Sequence, residues 1–199
     1  MKRIFDLIIS VFGLLILSPL LLLLSISIFI FEGLPIFFIQ ARLGKNKVPF
    51  RIIKFRTMKI GESISSEDDQ NRQTTFGKFL RKTSLDELPV LINVVKGNMS
   101  LVGPRPLLIK YKDRFTSYQD RRHEVLPGIT GLAQIKGRNQ ISWEEKFNYD
   151  LEYIDQRTFV LDIIILVKTI RLVLFVKGTS HNNQDIMPEF MGSKANENN

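Results

Sequence analysis

Within Arg81-Lys82-Thr83-Ser84-Leu85-Asp86-Glu87-Leu88-Pro89 two adjacent carboxylates follow two cations. Two chemistries fit this string. Ser84 followed three residues later by Glu87 has the spacing of a capping box, and acids favour a helix N-terminus, so both carboxylates can serve a helix start. Pro89 argues against that reading. With Ser84 as N-cap the proline falls past the first turn, removes a needed donor and disfavours helical geometry at Leu88. In the other reading Asp86 lies at a positive helix end among cations, stays ionised at pH 7 and attacks phosphorus, while Glu87 helps hold Mg²⁺. The residues by themselves leave the two readings even.

Gly103-Pro104-Arg105-Pro106 places an arginine between two prolines. Pro106 drives Arg105 toward extended geometry, and a guanidinium stiffened in this way matches phosphate oxygens bidentately. A plain turn with Arg105 in solvent is the competing account. Lys54-Phe55-Arg56 sets two cations on one strand face and Phe55 on the other, a pattern as common on a solvated face as at a phosphate site. Pro127-Gly128-Ile129-Thr130-Gly131 brings backbone close to a ligand or makes a tight turn before a strand. No Walker or GxGxxG pattern accompanies it. Zero Cys and only two His exclude a Cys-ligated metal site and leave little for a His-rich one, so any metal is hard and oxygen-bound. The net charge of +8 points to phosphates of nucleotides, nucleic acids or anionic lipids without choosing among them.

These groups need elements to hold them. Ile4 to Phe31 is a 28-residue apolar run with one charge, Asp6. As a straight helix it reaches roughly 42 Å, beyond the roughly 30 Å hydrocarbon core of a bilayer. Lys2 and Arg3 precede the run, and seven cations from Arg42 to Lys59 follow with no acid between Gly33 and Ile60. Both flanks therefore read as cytoplasmic. A helix–break–helix hairpin turning at Ser18-Pro19 satisfies that pattern, with Ser18 bonding to a freed backbone group. A tilted single span with a proline kink satisfies it equally.

Beyond the run, Phe37-Phe38-Ile39 and Phe50 to Phe55 read as two strands of a hairpin around Gly44-Lys45-Asn46. Residues 61–75 read as a polar loop. Its Glu67-Asp68-Asp69 cluster is assigned no role. Phe76, Phe79 and Leu80 mark a helix, and Leu85 to Val95 a second one, ended by Gly97 in a left-handed cap. Met99 to Val102 reads as a short strand. Trp143 to Ile154 reads as a helix opened by a Ser142–Glu145 capping box. Phe159 to Val176 is greasy but interrupted by Asp162, Lys168 and Arg171, which marks an interfacial or core-packed helix rather than a span. The expected class is α+β: a membrane helix over 1–31, one mainly helical domain with a small sheet over 32–178, and a polar, mobile tail over 179–199.

Taken together, Lys2-Arg3-Ile4-Phe5-Asp6, Ser18-Pro19, Gln40 to Gly44, Lys54 to Met58, Thr83 to Pro89, Met99 to Pro106, Pro127 to Gln134, Gly137-Arg138-Asn139 and Ser142 to Phe147 closely resemble the bacterial sugar transferases, the monotopic phosphoglycosyl transferases, in their small single-domain form. The resemblance spans roughly Lys2 to Ile170. It implies a re-entrant helix broken at Ser18-Pro19, a cytoplasmic catalytic domain on the inner leaflet of a bacterial membrane, and Mg²⁺-dependent transfer of a phosphosugar from a UDP-sugar to undecaprenyl phosphate. It implies Asp86 as nucleophile, with UMP leaving and the polyprenyl phosphate then resolving a phosphosugar ester. It also implies Glu87 as metal partner, Lys54, Arg81 and Arg105 as phosphate contacts, and Arg138 and Asp150 as residues lining the donor pocket. The chain departs from the family pattern at Leu132, where Trp is common, and at Asn98, where Asp is common.

Nucleic acid is not expected as a partner on this reading, and a homo-oligomer is compatible with it. The competing classes are a basic membrane-anchored module that binds lipid or nucleic acid without turnover, and a Mg²⁺-dependent lipid phosphatase. Nothing in the sequence reads the sugar ring.

Overall fold

The computed structural model describes residues 1–61, 72–137, 140–175 and 189–193. The Glu67-Asp68-Asp69 cluster, Arg138 and His181 lie outside the described residues. Helices α1 (Lys2–Ile16) and α2 (Ser18–Glu32) lead into an antiparallel hairpin of β1 (Phe37–Leu43) and β2 (Pro49–Phe55). Helices α3 (Thr75–Lys82) and α4 (Val90–Val95) follow, with a 3₁₀ turn at Leu85–Glu87 between them. Strand β3 (Ser100–Val102), short helix α5 (Ser117–Asp120), strand β4 (Gly128–Thr130) and helix α6 (Leu132–Lys136) come next, and α7 (Trp143–Gln156) and α8 (Phe159–Phe175) complete the described order. This is an α+β arrangement with two small two-stranded sheets, the second pairing β3 and β4 in parallel.

The helix break falls where Ser18-Pro19 places it. α1 and α2 meet at Leu17 with a bend of 61°. Proline sits in the first turn of α2, where its missing donor costs nothing, and Ser18 Oγ donates to the Leu15 carbonyl at 2.8 Å. Among the described residues no single helix is long and apolar enough to cross a membrane, whereas this bent pair together has the length and apolar composition to do so.

The pair is apolar where it does not meet protein, and α1 is polar where it does. On α1, Asp6 and Ser10 are buried while Leu7, Ile8, Phe12 and Leu15 are exposed. On α2, Leu24 and Ile28 pack against Phe55 and Leu80, leaving Leu23, Ile26, Phe29 and Ile30 outside. α8 repeats the inversion: Asp162 and Ile165 are inward, Val160, Ile164, Val167 and Ile170 outward. Asp162 explains how α8 tolerates an acid. It accepts from Lys2 Nζ at 2.6 Å and from Tyr153 Oη at 2.7 Å, so its charge is paired inside the fold.

The main core joins Phe50 and Ile52 of β2 to Val90 and Val94 of α4, β3, Leu151 of α7 and Ile165 of α8. Leu132 is buried here, in a position that offers no face to a base. A second cluster is aromatic, holding Tyr111, Phe115 and Phe147 together with Phe190. Phe190 corrects the expected mobile tail, since Glu189–Ser193 packs onto the domain rather than running free.

Candidate active site

The hairpin supplies the first wall. Side chains alternate across a strand, and the register pairs Phe38 with Lys54 and Arg42 with Phe50. Arg42, Lys54 and the buried Ile52 therefore share one face. The outer edge of β2 is satisfied by a side chain rather than a strand: Asn93 of α4 donates Nδ2 to the Arg51 carbonyl at 2.7 Å and accepts from the Ile53 amide at 3.0 Å. That docking fixes α4, and with it the turn just before it, against Lys54.

The turn is the Asp86-Glu87 pair, and its geometry sets the capping box aside. Ser84 adopts φ +57° and makes no side-chain cap bond. The expected single helix from Leu85 to Val95 is instead a 3₁₀ turn followed by α4. Pro89 explains the interruption, because it cannot donate and sits just before α4, where no donor is needed. Glu87, released from capping, accepts at Oε1 from Lys54 Nζ at 2.5 Å and from Arg105 Nη2 at 2.7 Å.

Arg105 is delivered by the parallel sheet. The Gly103 amide donates to the Thr130 carbonyl at 2.9 Å, and the Gly128 amide donates to the Pro104 carbonyl at 2.9 Å. A Cβ at Gly128 would lie 2.1 Å from the Gly103 nitrogen, so only glycine lets the two backbones approach this closely. The Pro127–Gly131 string is thus a strand clamped against the Gly103-Pro104-Arg105 turn. Behind that turn Arg122 donates to the Arg105 carbonyl at 3.0 Å, and its Nε and Nη2 donate to Asp150 Oδ2 at 3.0 and 2.6 Å.

The two carboxylates have opposite electrostatics. Glu87 would be raised by burial, but the charges of Arg105 and Lys54 and their hydrogen bonds hold it well below the usual carboxylate range. Burial, reinforced by the charge of Glu87, pushes Asp86 up to about 6, against the pull of Lys54, Arg81 and Arg105. The expectation that a positive helix end and neighbouring cations keep Asp86 ionised omits burial, which opposes the cations and outweighs them. Asp86 is still about nine-tenths ionised at pH 7. Among the described residues Asp86, nearly buried beside Glu87, makes no hydrogen bond or ion pair.

Lys54 and Arg105 line this groove with Glu87, and Arg42 joins them. Arg81 lies to one side, exposed, with Nε donating to Thr57 Oγ1 at 2.8 Å. Asp150 does not line the groove but lies behind it, paired through Oδ2 to Arg122. Arg56 does not act with Lys54. It turns away and donates to the carbonyls of Glu32, Gly33 and Leu34, closing the end of α2. Three cations escaped the sequence reading as site residues. Arg42 is lowered to about 10 by burial and by Arg105, and Lys146 to about 8 by burial and the same neighbour, while Arg122 is buried against Asp150. Arg42 had a signal in strand alternation with Lys54; the other two sit on helices far along the chain and had none.

Among the described residues no group of three or more acidic or His side chains could cage a metal ion. The free oxygens of Asp86 and the second oxygen of Glu87 are hard donors that suit Mg²⁺ only when phosphate oxygens complete its shell.

The fold and the site together define a small α+β protein with an exposed apolar face and a cationic groove beside two carboxylates, a class suited to anionic phosphoesters. The pattern of the family described as bacterial sugar transferase matches residues 1–176, and the chain belongs to that family. It is 46% identical over 195 residues to the uncharacterized sugar transferase EpsL of Bacillus subtilis (strain 168), covering 97% of this chain and 96% of that protein. The exopolysaccharide production protein ExoY of Sinorhizobium fredii (strain NBRC 101917 / NGR234) is 36% identical, with 89% and 87% covered. The UDP-glucose:undecaprenyl-phosphate glucose-1-phosphate transferase of Escherichia coli (strain K12) is 38% identical over 85% of this chain and 39% of its own greater length.

Proposed function

We propose that the chain transfers a sugar-1-phosphate from a UDP-sugar to undecaprenyl phosphate, releasing UMP, as the first membrane step of a glycoconjugate or exopolysaccharide pathway. The observation that carries this reading is the divided carboxylate pair: Glu87 locked by two cations, and Asp86 beside it unpaired, desolvated and ionised. Family membership and the names of the relatives support the same class of reaction.

In the first step an oxygen of Asp86 attacks the sugar-bearing phosphorus, a bond from that phosphorus to the bridging oxygen breaks, and UMP leaves with the electron pair. Asp86 attacks as the anion, so no proton need be removed from it. In the second step a phosphate oxygen of undecaprenyl phosphate attacks the same phosphorus and the Asp86 carboxylate departs, regenerating the site. Lys54 and Arg105, held by Glu87, bind phosphate oxygens, and Arg42 and Arg81 add positive potential at the rim. Asp86 and Glu87 would hold Mg²⁺ together with the diphosphate, where the ion supplies neutralisation of charge on the leaving group.

The apolar outer faces of α1, α2 and α8 support a seat in the bilayer, since monomeric soluble surfaces rarely expose such patches. We read α1 and α2 as a re-entrant hairpin with both ends on the cytoplasmic face of the inner membrane, as the flanking cations favour. Incubation of the membrane-embedded chain with Mg²⁺, UDP-sugars and undecaprenyl phosphate tests the reading by UMP release. Asp86→Asn is expected to abolish it, and undiminished release from that variant overturns the assignment of the nucleophile.

A further inference from the structure

The segment Glu189–Ser193 is the part of the fold that the active site does not explain. Phe190 is 4% exposed and sits in a box of rings. Its centroid lies 5.0 Å from Phe147 and 5.8 Å from Tyr111, both edge-on, 5.6 Å from Phe115 in a stack, and 5.3 Å from Trp143. Polar contacts fasten both sides of the ring. Arg114 donates to Glu189 Oε1 at 2.9 Å and to the Phe190 carbonyl at 2.5 Å, Lys110 pairs with Glu189 at 2.7 Å, and Gln119 donates to Ser193 Oγ at 2.6 Å. A terminal segment kept only for solubility would not bury an aromatic ring among four others.

What lies behind the box gives it a consequence. Phe115 and Phe147, the rings that touch Phe190, also present their faces to the Arg122 guanidinium, at 5.9 and 5.5 Å. Arg122 is the residue that grips Asp150 and the Arg105 carbonyl. A continuous series of packed groups therefore runs from the C-terminal segment through Arg122 to Arg105 and Glu87. Emptying the box frees Phe115 and Phe147 to move, and with them the only side chain that fixes the Arg105 carbonyl from behind among the described residues.

We propose that Glu189 and Phe190 form a C-terminal clip that closes the aromatic box and, through Arg122, holds Arg105 in place for the donor diphosphate, which makes Phe190 a positioning residue of the site. The role given to the diphosphate rests on the transfer reaction proposed above; the clip itself rests on the contacts alone. The surface the clip covers is also the point at which the site can be loosened from a distance, because Glu189 is held by exposed ion pairs that water can replace.

The test uses the full-length chain in membranes, with Trp143, the single tryptophan, as a built-in reporter of the box. Phe190→Ala is expected to shift Trp143 emission to the red, to weaken UDP binding and raise the donor KM by about tenfold or more, and to change kcat less. Phe190→Leu, which keeps the box filled, is expected to recover most of the donor KM. Glu189→Gln, which keeps the ring but weakens the ion pairs to Lys110 and Arg114 that fasten it, is expected to loosen the box and move UDP affinity in the same direction by a smaller factor. UDP affinity and donor KM unchanged in both Phe190→Ala and Glu189→Gln overturn the proposal, as does a loss confined to kcat. Failure of Phe190→Ala to fold leaves the decision to Glu189→Gln, whose unchanged UDP affinity overturns the proposal on its own. If the unaltered chain binds UDP but releases no UMP from any UDP-sugar, the transfer reading fails while the clip is still tested by UDP affinity.

Discussion

Two of the places that bury carboxylates beside basic residues, among the described residues, are built to opposite rules. At the junction of α1, β3 and α8, Asp6 accepts from Ser100 Oγ at 2.7 Å, and Asp162 accepts from both Lys2 and Tyr153. Arg3 joins them by donating to the carbonyls of Val94 and Val95 at the end of α4. Each acid there has a partner, as buried polar groups in a stable core must. At the other place Glu87 has two partners and Asp86 has none among the described residues. The contrast is between charges whose bonds are all made within the fold and one left without a bond beside cations, the residue to which the proposed function gives the nucleophile's role. Stability is given up at the second place, since a desolvated, unpaired carboxylate opposes folding.

The sharpest way to break this contrast is Asp86→Asn. Transfer is expected to fall by about 10³-fold or more, measured as UMP release. The same variant is expected to fold more stably above pH 6. The folded-state pKa lies above the unfolded value, so the ionised group costs stability there, of the order of 2–3 kcal/mol, and the amide removes that cost. A stability loss in place of the gain would show that Asp86 is structural after all. Glu87→Gln comes next: weakening the grip on Lys54 and Arg105 is expected to lower kcat/KM by about 10²-fold without abolishing turnover, in the same assay.

The pH profile refines the contrast further. Activity is expected to drop about tenfold per unit as pH falls below about 6, when Asp86 takes up a proton, while Glu87 stays ionised throughout that range. On the alkaline side a weaker decline near pH 8 follows from loss of the Lys146 charge, and Lys146→Ala is expected to remove that limb. The smallest effect on chemistry belongs to the junction. Asp162→Asn is expected to lower unfolding stability by about 1–3 kcal/mol, read from thermal denaturation, while turnover per folded molecule stays close to that of the unaltered chain.

Features governed by neighbours in sequence are legible from the residues alone. Ser18-Pro19 marks the helix break, Ser142 and Glu145 form their reciprocal cap, and Gly97 ends α4 with φ +84°. The hairpin follows from strand residues around Gly44-Lys45-Asn46. Local pattern fails where distant atoms compete for the same group. Ser84 and Glu87 have capping-box spacing, yet Lys54 and Arg105 offer Glu87 charged partners, and these outweigh a backbone amide. Asp150 carries no hint that it serves Arg122 rather than the groove, because the two lie 28 residues apart.

By itself, then, the sequence determined the α+β class, the apolar N-terminal helix pair, the break within it and the residue types that make the cationic groove. All of these depend on spacings of a few residues, where chain geometry alone decides which groups meet. Only the tertiary structure decided which carboxylate is bound and which is left open, that Arg122 stands behind Arg105, and that Phe190 returns to close the aromatic box. Those outcomes are settled by competition among groups distant in the chain, whose meeting depends on the whole core having formed first.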